Sequence, residues 1–264
     1  MIVVARKWPT GDVGDERWSA VSESDRAALE VGLRLAEASG DSVTVVTVGG
    51  SGADPSLREA LAVGAVRAVR IDSSADLRSD AVAWAIAEVA RDARWVVCGD
   101  ASSDRGSGAV PAFLAAELGA AQALGLVTVE ADRGDGGDGE TVRAVRRLDG
   151  GRREVLSVAA PAVLSVEGSV ARLRRAALTA KVGTRTMPIE VLAGPSGPLD
   201  EPAAVVAYRP RPRAMPVPAG DALARVRTLT DLAGGPVGHG EVVTLDPPAA
   251  AAKILATLTT WGYR

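Results

Sequence analysis

The chain has almost none of the side chains that most often carry metal or nucleophilic chemistry. It holds one cysteine, Cys98, and one histidine, His239, in 264 residues. A single thiol cannot close an internal disulfide, and neither residue has companions with which to assemble a zinc site, so no metal is expected. A reducing cytoplasm suits such a sequence. His239 sits in a Gly-rich stretch and reads as a solvated loop residue, which leaves no nucleophile, base and orienting group to combine. No catalytic residue is expected, and Cys98 at a strand end reads as a small buried hydrophobe. Aromatic residues are only 3% of the chain, and its five tryptophans read as core or interface anchors. Charge is not one-sided either. Thirty Lys and Arg against 33 Asp and Glu leave a net charge of -3, without the basic stripe that nucleic-acid binding requires. No apolar run has the length of a bilayer span, and no basic region precedes the opening Ile2-Val3-Val4-Ala5. The expectation is a soluble chain, neither inserted in a membrane nor exported.

What the sequence does have is an alternation of short β-branched runs with helical patterns over its first hundred residues. That is the signal of βαβ units and a parallel sheet covered on both faces. Runs 2–5, 43–48, 66–71 and 95–98 read as buried strands. Ser22 and Asp25 form an S-x-x-D capping box for a helix that buries Leu29, Leu33 and Ala36 and stops at Gly40. Asp54 reads as the cap of a second helix, with Pro55 at its first helical position and Leu57 and Leu61 on one face. Asp80 reads as the cap of a third, burying Val82, Ile86 and Val89. A fourth is expected from about Asp104–Gly106 to Leu118, ended by Gly119.

Beyond Gly119 the pattern changes to strands joined by turns, at 124–130, 141–148, 153–158 and 162–166. The connections from Asp132 to Gly139 and at Asp149-Gly150-Gly151 have turn composition. With no linker between the halves, the expected fold class is α/β, a three-layer sandwich with a mainly parallel sheet and an antiparallel extension. Residues 1–192 are expected to form this domain. Residues 193–264 read as a Pro/Gly-rich C-terminal arm, from Pro195 through Pro218 too rich in proline for regular helices, closing on a docking helix over Ala249–Tyr263.

In an open parallel sheet a ligand sits beyond the carboxyl ends of the strands, where the strand order reverses. With the order 3-2-1-4, the loops concerned are Ala5 to Pro9 and Cys98 to Gly108. The second offers glycines, hydroxyls and the free N–H groups of a helix start, which favour a phosphate. A Gly/Ser-rich connection is also what a plain capped turn looks like, and the residues alone leave both readings open. Asp100 and Asp104 oppose an anion, while Arg6, Lys7 and Arg105 offset them. The loop matches neither G-x-x-x-x-G-K-[ST] nor a G-x-G-x-x-G after the first strand, so kinase-like and Rossmann dehydrogenase chemistry lose support.

Three stretches resemble the beta, or small, subunit of electron-transfer flavoproteins. They are the helix motif Ala28-Leu29-Glu30 to Arg34-Leu35-Ala36-Glu37, the run Val43 to Gly49 with Leu57 to Ala68, and Leu148-Asp149-Gly150-Gly151 with Ala160 to Val166. The resemblance covers about residues 1–192. It implies a heterodimeric electron carrier without bond chemistry of its own, holding a structural AMP, or a second FAD, at the switch point. The matching positions are Ala5; Ser22, Glu23, Ser24 and Asp25; Val48 and Gly49; and Gly99, Asp100, Ala101, Ser102, Ser103, Asp104, Arg105, Gly106, Ser107 and Gly108. It further implies a redox FAD shared with an alpha subunit, partner dehydrogenases anchored at Leu178 with Arg174 nearby, and a quinone-linked acceptor. Overall the chain is similar to an actinobacterial branch associated with mycofactocin. It departs from the family at Asp100, Ala101 and Ser107-Gly108-Ala109, where a basic residue, Gln and T-G-Q are usual, and it lacks Pro-Arg-Tyr before the anchor leucine. A universal-stress-type ATP/AMP-binding module is the alternative, disfavoured by the long arm. An adenylating enzyme would need an S-G-G-x-D-S loop after the first strand, which Ala5 to Pro9 does not supply.

Overall fold

The computed structural model describes residues 1–9, 19–73, 77–104, 106–132, 141–195, 219–230 and 243–261. Arg105, His239, most of the turn expected over Asp132–Gly139 and the prolines from Pro198 to Pro218 lie outside them. The chain divides into two units, Met1–Ala203 and Ala204–Arg264.

The first unit is built on one nine-stranded sheet. Its strands are β1 (Ile2–Ala5), β2 (Val43–Val48), β3 (Arg67–Asp72), β4 (Trp95–Gly99), β5 (Ala121–Ala131), β6 (Thr141–Arg147), β7 (Arg153–Ala159), β8 (Ala162–Val166) and β9 (Glu190–Ala193). They lie in the order β7-β6-β5-β8-β4-β1-β2-β3-β9. The segment from β9 to β5 is parallel, and β6 and β7 add to it in antiparallel register. The fold is the expected α/β sandwich with its antiparallel extension. Ala5 lies level with Cys98 of β4 on one side and Val46 of β2 on the other, so β1 is the strand where the order reverses.

Alternate residues of β1 enter two cores, as the two-residue period of a strand dictates. Ile2 and Val4 pack with α1 (Glu23–Ser39) and α2 (Asp54–Val63), through Leu29, Leu57 and Leu61 among others. Val3 and Ala5 pack with α3 (Ser79–Ala90) and α4 (Val110–Leu118), through Ile86 and Leu114. Ser22 caps α1, its hydroxyl accepting from the Asp25 N–H at 3.1 Å, and Gly40 ends the helix in a left-handed conformation.

Three of the expected helix starts are corrected. Asp54 is the first residue of α2, behind Ala53 as N-cap and ahead of Pro55, and its carboxylate pairs with Arg70 at 3.0 Å. Asp80 lies inside α3, which starts from Arg78, and binds the Ala81 N–H and Arg78. The fourth helix begins at Val110 rather than near Asp104, because Gly106 and Gly108 both hold positive φ, +62° and +58°, which no helix accommodates. Asp104 is not its cap; it pairs with Lys7 at 2.7 Å. After β8 the chain forms the short helix α5 (Leu178–Gly183) and then β9, which sequence reading missed.

In the second unit, α6 (Ala222–Leu229) and α7 (Pro247–Thr260) are capped by Asp221 and Asp246. Sequence reading expected the latter helix and not the former. Leu223, Val226 and Leu229 form one exposed stripe on α6, and Ile254, Leu255 and Leu258 another on α7, with exposed Trp261 just beyond. No helix among the described residues is long and apolar enough to cross a membrane.

Candidate functional site

All strands from β9 to β5 run the same way, so the chain leaves β1 and β4 at the same end of the sheet. There the carboxylate of Asp25 joins the two exits. It accepts the Lys7 N–H at 3.2 Å and also the Gly99 N–H. In a full capping box it would turn back to the Ser22 N–H. A side chain on Gly99 would place its Cβ 2.7 Å from the Asp25 Oδ1 and 2.9 Å from the Asp25 N, so only glycine permits this approach. Ser24 adds a bond from its hydroxyl to the Ala101 carbonyl at 2.9 Å, and Lys7 reaches across to Asp104. Asp25 is buried, and burial pushes its pKa up to about 6 against the opposing pull of the Lys7 N–H, Arg6, Ser22 and the Gly99 N–H.

The joined exits floor a cleft of about 120 Å³. Of the expected positions, Ala5, Asp25, Val48, Gly99, Asp100, Ala101, Ser102, Ser107 and Gly108 line it. Ser22 and Ser24 stand behind it as cap and tether. Glu23 is turned to solvent and pairs loosely with Arg26 at 3.8 Å. Gly49 bonds Ile71 at the end of β3. Ser103, Asp104 and Gly106 belong to the loop without lining the cleft, and Gly106 closes a turn on the Ser102 carbonyl.

Sequence reading missed one whole wall, formed by Leu77, Ser79, Val82 and Ile86. The signal was the strand order. A helix leaving β3 to reach β4 must cross over β2 and β1, so its first turns cover the switch point. Val110 and Pro111 of α4 complete the lining.

Two helix starts thus face one cleft. Neither N-cap residue, Arg78 of α3 or Ala109 of α4, supplies a side-chain cap, although Asp80 takes the Ala81 N–H in α3. At α4 the residues Ser107 to Val110, which carry the first N–H groups of the helix start, line the cleft in a loop that Gly106 and Gly108 bend into the left-handed region. Such an array of N–H groups at a helix start attracts an anion by hydrogen bonding and by the dipole. The dipole contributes ~0.3–1 kcal/mol where exposed, so direct bonds dominate.

The charged side chains are mostly committed elsewhere. The Arg6 guanidinium is buried and donates to the Ser56 carbonyl at 2.8 Å and to Glu59 at 3.0 Å, while its Nε has no partner. Val48, Leu77, Val82 and Ile86 give the cleft an apolar side suited to a flat ring. A cleft lined both by apolar side chains and by the start of a helix has the make-up of a small-ligand site. Cys98 lies at the floor, and burial, with Asp25 beside it, pushes its thiol well above the usual range; it is a packing residue.

The two expected partner-facing residues have different surroundings. Leu178, at the start of α5, is 77% exposed. Arg174 is pinned to α1: its guanidinium and its N–H bond Glu30 at 3.0–3.2 Å, and it also pairs with Glu37. Burial alone would push the Glu30 carboxyl up, but Arg174 and Arg34 hold it below the usual value. Among the described residues, no cluster of three potential metal ligands occurs.

The family model for the electron transfer flavoprotein domain matches residues 12–196. The electron transfer flavoprotein subunit beta of Mycobacterium tuberculosis is 34% identical over 167 residues, 58% of this chain and 63% of the relative. Protein FixA of Bradyrhizobium diazoefficiens is 31% identical over 167 residues, 60% of this chain and 57% of the relative. The subunit beta of Methylophilus methylotrophus is 31% identical over 176 residues, 64% and 65%. The chain thus spans somewhat under two thirds of the length of these relatives. The matched span holds every strand of the sheet except β1, and with them the cleft lining from Asp25 to Pro111; the chain belongs to the electron transfer flavoprotein family, among its beta-subunit members.

Proposed function

We propose that the chain is the beta subunit of a heterodimeric electron-transfer flavoprotein, a carrier without bond chemistry of its own. It binds a structural AMP and helps an alpha subunit hold the FAD that shuttles electrons from dehydrogenases to a membrane quinone-linked acceptor. The observation that carries this reading is the cleft at the exits of β1 and β4, where an apolar wall stands opposite the uncapped start of α4. The base of the AMP rests against Val48, Leu77, Val82 and Ile86, and its phosphate lies on the N–H groups of Ser107 to Val110. The flavin, when bound, supplies the electron chemistry. This chain's part is to keep the two exit loops joined through Asp25 and so present a rigid face to the partner.

The arm from residue 193 packs on the alpha subunit. The exposed apolar stripes of α6 and α7 support this role, since apolar surface of that kind gains by leaving water at an interface. The balance of charge and the absence of a disulfide suit a cytoplasmic complex, and mycofactocin-linked redox metabolism is the setting we assign to it.

Coexpression with an alpha subunit is the direct test. A yellow, tightly associated heterodimer is expected, and mass spectrometry of ligand released by acid is expected to find AMP as well as FAD. Two chains that never copurify would end the reading; FAD without AMP would reassign the cleft.

A second expected result concerns Leu178. Its side chain has no cover in the subunit, so replacing it with alanine leaves folding and flavin content unchanged. Electron acceptance from a partner dehydrogenase is expected to slow about tenfold, the effect of losing one apolar anchor. Equal rates in stopped-flow reduction would remove Leu178 from the docking surface.

A further inference from the structure

A second cleft, of about 490 Å³, opens on the α1–α2 side of the first unit, between the approach to α1, the first turn of α2 and the end of α5. Its lining holds four cations, Arg26, Arg58, Lys181 and Arg185, and one carboxylate, Glu59. Glu59 is already shared by Arg6 at 3.0 Å and Arg26 at 3.2 Å. Arg58 spends two bonds on carbonyls, Thr184 at 2.9 Å and Met187 at 3.0 Å, which tie α2 to α5 without neutralising its charge. Lys181 and Arg185 are exposed and have no carboxylate partner among the described residues.

Three positive charges around one hollow, none with a carboxylate partner among the described residues, are unfavourable by themselves, and unexpected in a chain whose net charge is -3. Like charges gathered on low-dielectric walls focus a positive potential into the hollow. Ser56 supplies an independent observation. It is 4% exposed, it lines this cleft, and its hydroxyl has no hydrogen-bond partner. A buried hydroxyl left unbonded costs about 1–3 kcal/mol, a cost that an acceptor entering the cleft removes. Trp8 forms the apolar side, its indole held against Gly52.

We infer that this cleft is a second ligand site, for a small polyanion bearing phosphate or carboxylate groups, bound by Arg58, Lys181 and Arg185 with Ser56 as hydrogen-bond donor. It is separate from the switch-point cleft, whose lining it does not share. Because Lys181 is part of α5, the bound anion also fixes that helix against α2.

The test titrates the full chain with inorganic tripolyphosphate and, separately, with citrate, by calorimetry and by tryptophan fluorescence. Saturable binding of at least one is expected, the tighter of the two naming the group that the cleft takes. Lys181 and Arg185 are exposed and make no side-chain bond that folding requires, so the double variant Lys181→Gln/Arg185→Gln is expected to keep its fold. It is expected to bind about tenfold more weakly, a loss of about 1.4 kcal/mol. Any anion held in the switch-point cleft is untouched by this variant, so the loss reads the second cleft alone. A fluorescence change that disappears in Trp8→Phe places the anion beside the indole. Absence of saturable binding for both anions, or undiminished affinity in the double variant, overturns the inference.

Discussion

Replacing Gly108 with asparagine is expected to strip the bound nucleotide from the purified heterodimer, while the same replacement at Gly106 leaves it in place. Both glycines hold left-handed backbone, φ +58° and +62°, and asparagine is the side chain that best tolerates that region. The backbone penalty is therefore about equal at the two positions. The difference is space. A Cβ at Gly108 would lie 2.5 Å from the Asp100 carbonyl oxygen, whereas at Gly106 its nearest neighbour is the Ser102 carbonyl oxygen at 3.8 Å. The Asp100 backbone cannot easily yield, because its N–H is bonded to Val166 of β8 at 3.0 Å. The loop must move instead, and the N–H groups of Ser107 to Val110 lose their common aim. Affinity for AMP is expected to fall about a hundredfold or more, ~3 kcal/mol, read as AMP released on acid denaturation and as a calorimetric Kd. Full nucleotide content in Gly108→Asn would mean that the phosphate lies elsewhere.

The choice of Gly108 over Gly106 marks the limit of what composition shows. A run of Gly and Ser after a strand announces a loop suited to an anion, and both glycines stand out equally in the sequence. Which one lies against a neighbouring backbone depends on where Asp100 is held, and Asp100 is held by β8, sixty-six residues further along. The capping box shows the same limit. Ser22 and the helix start were legible, its hydroxyl accepting the Asp25 N–H at 3.1 Å, because a cap is a contact three residues long. The real partners of Asp25 are the N–H groups of Lys7 and Gly99, and no local pattern points to contacts across three separate segments.

The strands of the sheet were legible where each buries a continuous β-branched run, as Val43–Val48 and Trp95–Gly99 do. β9 was not, since Glu190–Ala193 is an edge strand of four residues, mostly exposed, that alternates too briefly to register. The caps at Asp54 and Asp80 failed for another reason. An acidic residue one or two positions inside a helix looks like one just before it, and here ion pairs with Arg70 and Arg78 decided the placement. In the tail, α6 was masked by the surrounding prolines, although Asp221 is a good cap and its Leu223, Val226 and Leu229 share one face. The α3 wall of the cleft follows from topology, not from any motif: the chain has to travel from β3 to β4 over the ends of β2 and β1.

Replacing Asp25 with alanine is expected to cost most in acid and less at neutral pH, the reverse of what an ordinary salt-bridged carboxylate would give. The substitution leaves the Lys7 and Gly99 N–H groups without their acceptor, a loss of about 2–4 kcal/mol for two buried donors. Against it stands the ionisation of Asp25 itself. Burial raises its pKa from 3.8 to about 6, so between those values the folded chain binds a proton that the unfolded chain has released. Stability tied to this group is fully present below the unfolded pKa and is lost as pH rises through the folded one. A shift of about two units corresponds to ~3 kcal/mol over the whole window. The parent therefore carries this loss from pH 4 to 7 and the alanine variant does not, so the gap between them narrows as pH rises. Urea midpoints of both chains at pH 4.5 and 8 provide the check, with the titrations of Glu30 and the other shared carboxyls cancelling in the difference. A gap that widens toward pH 8 would show that the ionised carboxylate is the favoured form, held by its two N–H donors and Arg6 more strongly than burial opposes it. Since Asp25 bonds both exit loops, nucleotide retention is expected to drop in the alanine variant at either pH, and the difference between the two readouts separates its electrostatic cost from its role as a tether.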